Sequence, residues 1–340
     1  MSYESFSKLP NKTRVRDVMD LIELLGFQRI LRSRFRDKEE LAQYHWFDEA
    51  DYHSYSGVFL SLTRESDGQV IVYTRTVASR SYFDLTQQNH VIRILKRHFG
   101  GTFETDIGKG RYFPIEGSPP NPAQAGCHLA FQRFGGNLIK ADIYLISRRF
   151  PQEQWKNSGK FEPMDRMNPR LLSNNLLLPY LISIMEDYFK STFIALLTYS
   201  DRKESFLKGT RLSYDHLLKV SSGDSSVEEA IAESLPFQKI SAICQHFKGI
   251  EPDLDLAGAL RKPYHKRKKS LFESLEELVL RRHGFIHKGN MDTSFDDVDI
   301  KLSLNDLEVS IIRCYQRITD YYEWEFDQCW GRSRKLTITE

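Results

Sequence analysis

Ser270–Gly289 reads SLFESLEELVLRRHGFIHKG, and the C-terminal half of this 340-residue chain is understood from it outward. It opens on Ser270-x-x-Glu273, the pattern of a capping box, in which a serine and a glutamate satisfy each other's free backbone N–H groups at a helix start. On a helix turning about 100° per residue, Leu271, Leu275, Leu278, Val279 and Ile286 fall within one arc, which predicts a helix with that stripe buried. Arg282 falls inside the same arc. A charged group on a buried stripe is costly unless compensated, so Arg282 calls for a carboxylate, a phosphate or a cleft. His283 and His287 stand four residues apart and share a flank beside the stripe.

Immediately upstream, Arg261 to Lys269 (RKPYHKRKK) holds six Lys/Arg, one His and no carboxylate. A run of this kind is a solvated loop or a phosphate-binding patch carrying one aromatic. Further out, Asn175 to Thr198 is long and apolar, Ser225-x-x-Glu228 is a second candidate capping box, and a last helix is expected from about Asn305 to about Phe326. Residues 168–330 therefore read as helical throughout, with 331–340 as a tail. Residues 151–167, containing Pro151, Pro163 and Asn157-Ser158-Gly159, lack periodicity and read as a linker.

Residues 1–150 read as a mixed α+β domain. Val15 to Leu31 has helical spacing; Val58–Leu62 and Val70–Tyr73 are strand-like around the turn residues Ser66-Asp67-Gly68. Asp84 is expected to cap a helix to about His98, stopped at Gly100-Gly101. Thr102–Asp106, His128–Phe134 and Leu138–Ile146 are further strand candidates, and Gly117–Gly126 is expected as a loop. The fold class is thus an α+β N-terminal domain followed by an all-α helical bundle.

Composition bounds the function. Forty-eight Lys/Arg against 46 Asp/Glu give a net charge of +2, which excludes polyanion binding through bulk charge but leaves room for a local basic patch. Four widely spaced cysteines, with no CxxC pair, exclude a zinc ribbon or redox dithiol. No signal-peptide core and no apolar run of about 18 residues is present, so the expectation is a cytoplasmic protein away from the membrane.

Arg282-His283-Gly284-Phe285-Ile286-His287 resembles the R-x4-H motif of the HEPN superfamily, whose pattern admits a polar residue such as His283 directly after the arginine. Upstream, Glu186-Asp187-Tyr188-Phe189-Lys190 is similar to the E-x3-K pattern of many such domains, although Ser191 stands where some carry a second basic residue. The resemblance covers roughly residues 168–330. It implies a HEPN-like helical bundle acting as a homodimeric, metal-independent endoribonuclease, of the kind that serves as a toxin or in anti-phage defence. An RNA substrate is then expected, and no metal or cofactor; whether an antitoxin or trigger partner exists is left open by the sequence. The resemblance gives Arg282, His287, His283 and Glu186 to catalysis. Lys190, Arg281, Lys288, Lys266, Arg267, Lys268 and Lys269 become candidates to hold the substrate.

The chemistry suits these residue types. Cleavage by the RNA's own 2′-hydroxyl needs a base, an acid for the leaving oxygen and positive charge at the phosphorane. Histidine titrates near neutrality and serves as either acid or base, while arginine grips phosphate oxygens in a bidentate fork. Arg282 and His287 lie about 140° apart on an ideal helix, so a two-fold pairing of motif helices is expected to complete the cleft. Other readings remain open at this level. One is a catalytically silent, dimerising RNA-binding or interaction module; another pairs Arg282 with a buried carboxylate such as Glu186. His283 and His287 are also compatible with a zinc pair or with ordinary residues favouring the helix dipole. In the N-terminal part, Glu104, Asp106, Lys109 and Arg111 match no catalytic spacing, and Gly108-Lys109-Gly110 lacks the P-loop pattern.

Overall fold

The computed structural model describes residues 2–30, 40–148, 168–265 and 267–326. The chain divides into two compact units, Met1–Ala125 and Gly126–Glu340. The division falls inside a helix, ahead of the expected linker 151–167, which lies outside the described residues, as do residue 266 and the tail.

The first unit is a seven-stranded sheet. Its strands are β1 (Tyr3–Lys8), β2 (Gln28–Arg29), β3 (Glu40–Trp46), β4 (Val58–Arg64), β5 (Val70–Thr76), β6 (Thr102–Thr105) and β7 (Gly108–Lys109). The order is β2-β3-β4-β5-β1-β6-β7, with every pairing antiparallel. The expected hairpin is β4–β5. Strict alternation turns Val58, Leu60, Leu62, Val70 and Val72 to one face, where Val18, Ile22, Val91 and Leu95 complete a core. These last four come from helices α1 (Val15–Leu24) and α2 (Tyr82–Phe99). The helix expected over Val15–Leu31 is shorter, because the chain turns at Gly26, at a φ of 84°, and enters β2.

Helix α2 starts as the sequence suggests, but Ser81 is the cap and Asp84 its reciprocal partner in a capping box. The fully buried Asp84 carboxylate also accepts from the backbone N–H groups of Tyr55, Ser56 and Gly57, tying the loop before β4 to the helix start. Gly100 ends the helix. Gly101 follows at a φ of 80°, where a Cβ would overlap the carbonyl oxygen of Lys8, so the close approach of this turn to β1 requires glycine.

The strand expectations at His128–Phe134 and Leu138–Ile146 are corrected. Both lie in helix α3 (Pro122–Ser147), which also takes up the end of the expected loop 117–126. Cys127, Ala130, Phe131, Phe134, Leu138 and Ala141 are buried at helical spacing. The burial of that stripe outweighs the cost of about 1 kcal/mol for each mid-helix glycine at Gly135 and Gly136.

The second unit is helical, as expected. Helix α4 (Pro169–Tyr199) begins six residues before the expected Asn175, capped by Asn168 with Pro169 in its first turn. The short helices α5 (Lys203–Lys208), α6 (Tyr214–Ser222), α7 (Val227–Ser234), α8 (Ile240–Ile250) and α9 (Leu256–Arg261) follow. The capping box of α7 is Ser226 with Glu229, one residue on from the expected Ser225–Glu228; Glu228 instead pairs with Lys203. Helix α10 (Leu271–Lys288) carries the Ser270–Glu273 box and ends at Gly289 in the left-handed conformation. Helix α11 (Asp297–Tyr321) starts earlier than the expected Asn305, because Asp296 caps it and Asp297 binds both Arg148 and Arg170.

Tyr188, Phe189, Phe193, Phe247, Phe131, Phe134 and Tyr315 are fully buried and form the aromatic centre of this unit. Helix α10 packs on α4 and α11. Cys127, Cys244 and Cys314 are buried thiols; burial pushes Cys244 up to about 11, so they act as small apolar residues.

Candidate functional site

Helix α10 positions the motif. Its buried stripe, Leu271, Phe272, Leu275 and Leu278, ends one turn before Arg282. Ile286, expected on that stripe, is 46% exposed, because the last turns of the helix extend beyond the side chains that cover its start. Arg282 remains half-buried, and its Nε is buried with no hydrogen-bond partner. Buried donors are nearly always satisfied, and among the described residues Arg282 Nε is one of five side-chain atoms that are not, with Ser7 Oγ, Arg148 Nε, Tyr188 Oη and Thr192 Oγ1.

The Arg282 charge acts on Glu186 of α4. Desolvation raises the pKa of its carboxyl, against the lowering effects of the Arg282 charge and of a hydrogen bond from Gln238. The structure thus brings together the glutamate and the arginine of the two sequence patterns, from residues 96 positions apart.

His283 and His287 are exposed, with ring centroids 4.4 Å apart. They share the outward flank with Leu280, 70% exposed at helical spacing from both. Within one chain, arginine and histidines point to different sides of α10. Lys288, also exposed, and His287 sit in the last turn, where positive charge favours the dipole. No group of three or more His, Cys, Asp or Glu suited to hold a metal ion occurs among the described residues.

The other candidate residues are more engaged than the sequence suggests. Arg281 pairs with Glu277 and Asp292 and lies over Phe295. Arg267 binds Asp306 at 2.6 Å and lies over Tyr264; Lys269 pairs with Glu277; Arg261 covers the ring of Phe272 at 4.3 Å. Lys268 is exposed, and Lys266 lies outside the described residues. Carboxylates of α10 and α11 thus supply what the run itself lacks. Arg267, Lys269 and Arg281 line a cleft of about 270 Å³ whose cations are balanced by Glu277, Asp299 and Asp306. Lys190 sits 3.9 Å from Glu233, beside a cleft in which Asp187, Asp224 and Glu229 also take part.

Two residues of this neighbourhood escape sequence reasoning. Gln238 reaches Glu186 from the segment before α8 without any pattern that marks it. The signal that could have marked Leu280 is an apolar residue on the histidine flank, three positions before His283. No protein-family model, curated protein or solved structure matches the chain.

Proposed function

We propose that the helical unit is a HEPN-like, metal-independent endoribonuclease that works as a homodimer through α10. The observation that supports it most is the buried, unpartnered Nε of Arg282, set against Glu186 on the helix whose outer flank presents His283 and His287. In this reading Arg282 binds the non-bridging oxygens of the scissile phosphate. His287 takes the proton from the 2′-hydroxyl, whose oxygen forms the new bond to phosphorus. The 5′-oxygen leaves with a proton from an imidazolium, supplied by His283 or by the partner's flank. The products are a 2′,3′-cyclic phosphate and a 5′-hydroxyl end. An enzyme of this type would need restraint in its cell, consistent with a toxin or phage-defence effector held by an antitoxin or trigger.

A second reading has its own support. Arginine and histidine on different sides of one helix fit a silent dimerising module as well, if no two-fold partner brings them to one phosphate. The experiment that separates them is cleavage of total RNA by wild type, Arg282→Ala and His287→Ala with EDTA present. The ribonuclease reading expects wild-type cutting and a loss well over tenfold in His287→Ala, since positioned acids and bases contribute about 10²–10⁴-fold. Equal cutting by the alanine variants, 3′-hydroxyl products or abolition by EDTA would count against it.

A further inference from the structure

The first unit carries a feature that the ribonuclease reading leaves unused. Along β1, Ser5 and Ser7 point inward and are buried, while Glu4, Phe6 and Lys8 alternate outward, on the face away from the helix-covered core. Phe6 is 45% exposed. In register it stands beside Tyr73 on β5 and Glu104 on β6. The Phe6 and Tyr73 rings are 5.1 Å apart, and Tyr73 continues to Phe59 on β4 at 6.5 Å. Three aromatic rings thus cross three neighbouring strands on the uncovered side of the sheet. Glu4, on the same outward face, pairs with Arg75 at 3.6 Å.

At the Phe6 end of this row, a cleft of about 510 Å³ opens over β1, β6 and β7. Phe6 gives it an apolar wall; Lys8, Lys96 and Lys109 bring three ammonium groups, against the Glu104 carboxylate. The Lys96 ammonium donates to the Gly101 carbonyl, which leaves its charge uncompensated. Lys8 lies 4.0 Å from Glu65 in an exposed pair, a contact of the kind that contributes little and yields readily to a phosphate. In a chain of net charge +2, three lysines converging on one cleft are a local positive field. Lys8 follows Phe6 by two residues, about 7 Å along the strand, so a base stacked on Phe6 leaves its phosphate within reach of the Lys8 ammonium.

We infer that this sheet face and cleft bind a single-stranded nucleic acid, with a base stacked on Phe6 and flanking phosphates on Lys8, Lys96 and Lys109. Aromatic faces accept any base and lysines follow the backbone, so the platform holds a strand with little sequence preference. The choice of RNA as the strand in the cell rests on the ribonuclease reading; the binding face itself does not.

The test uses the full chain and a fluorescein-labelled single-stranded DNA of about twelve nucleotides, within the span such platforms cover and resistant to 2′-hydroxyl cleavage. Anisotropy titrations at several salt concentrations give affinity and salt slope. Phe6→Ala is expected to weaken binding about fivefold to a hundredfold, the loss of one stacked base. Combined Lys8→Ser, Lys96→Ser and Lys109→Ser should lower affinity and flatten the salt slope by up to about two, from three lost phosphate contacts. The matching triple arginine variant, which keeps the charge, should bind like wild type and controls for folding. Failure of wild type to bind, or unchanged affinity and slope in the serine and Phe6 variants, overturns the inference. So does displacement of the DNA by polyglutamate as readily as by unlabelled oligonucleotide, which would make the cleft a general anion or acidic-peptide site. Phe6-dependent DNA binding without RNA cleavage keeps this inference and removes the ribonuclease reading. His287-dependent cleavage with Phe6-independent binding does the reverse.

Discussion

Glu186, in the field of Arg282, has a protonation tied to stability in a defined direction. The folded state raises the Glu186 carboxyl above its ordinary value of 4.5, because desolvation outweighs the Arg282 charge. A raised folded value means that the contribution is present at low pH and is lost as pH rises through the shifted value. Glu186→Gln keeps a hydrogen-bonding amide and removes that titration. Wild type should therefore lose stability relative to Glu186→Gln as pH rises above the ordinary carboxyl value of 4.5, as read by urea midpoints across a pH series. Parallel curves would show that Glu186 is not desolvated in solution. Arg282→Ala removes the lowering influence, so the Glu186 titration followed by carbon NMR should move further upward. A downward move would mean that the Arg282 charge does not act on it.

At the scale of elements, helix α10 was legible and helix α3 was not, for physical reasons that differ. Ser270, Glu273 and Gly289 are local punctuation, and the stripe from Leu271 to Leu278 has an unambiguous period, so start, stop and buried face follow from neighbours in sequence. In α3 the Gly135-Gly136 pair and the apolar runs around it resemble two strands and a turn. Only burial of the Cys127–Ala141 stripe, a tertiary fact, decides for helix. The site divides in the same way. Arg282 stood out because a charge on a stripe is visible in the spacing, whereas the point at which α10 outruns its cover, leaving Ile286 exposed, is not. The basic run shows the same limit: its partners Glu277 and Asp306 lie 8 and 39 residues away from Lys269 and Arg267. Three stability outcomes follow. Ser270→Ala should cost about 1 kcal/mol through loss of the cap. Arg267→Ser leaves the buried Asp306 carboxylate without its cation and should cost about 1–3 kcal/mol. Lys268→Ser, at an exposed position, should be neutral within about 0.5 kcal/mol. Denaturant midpoints rank the three, and an Arg267→Ser variant as stable as Lys268→Ser would show the run to be a solvated loop after all.

At the scale of the whole molecule, the proposed activity depends on an assembly that a single chain does not contain. The Arg282 charge acts on Glu186 while His283 and His287 face outward, about 100° and 140° round the same helix, so one chain presents half of the required constellation on each side of α10. A two-fold axis beside the outer flank would bring the His283–His287 flanks of two copies together around one phosphate, with each Arg282 approaching from behind its own helix. Leu280 lies on that flank and is 70% exposed, so it contributes little to the core of its own chain. Its replacement by lysine should leave the thermal midpoint of an isolated chain nearly unchanged, while an interface centred on it would meet two like charges across the axis and come apart. Light scattering of wild type should show a dimer at assay concentrations, and Leu280→Lys a monomer with cleavage reduced at least tenfold. Mixing Arg282→Ala with His287→Ala should restore part of the activity, since the mixed dimer holds one intact arginine and one intact His287 beside the same cleft. A Leu280→Lys protein that stays dimeric would place the interface elsewhere on the helical unit. A monomeric wild type with full activity would remove the need for a second copy, and would require Arg282 and His287 of one chain to reach the same phosphate despite their angular separation.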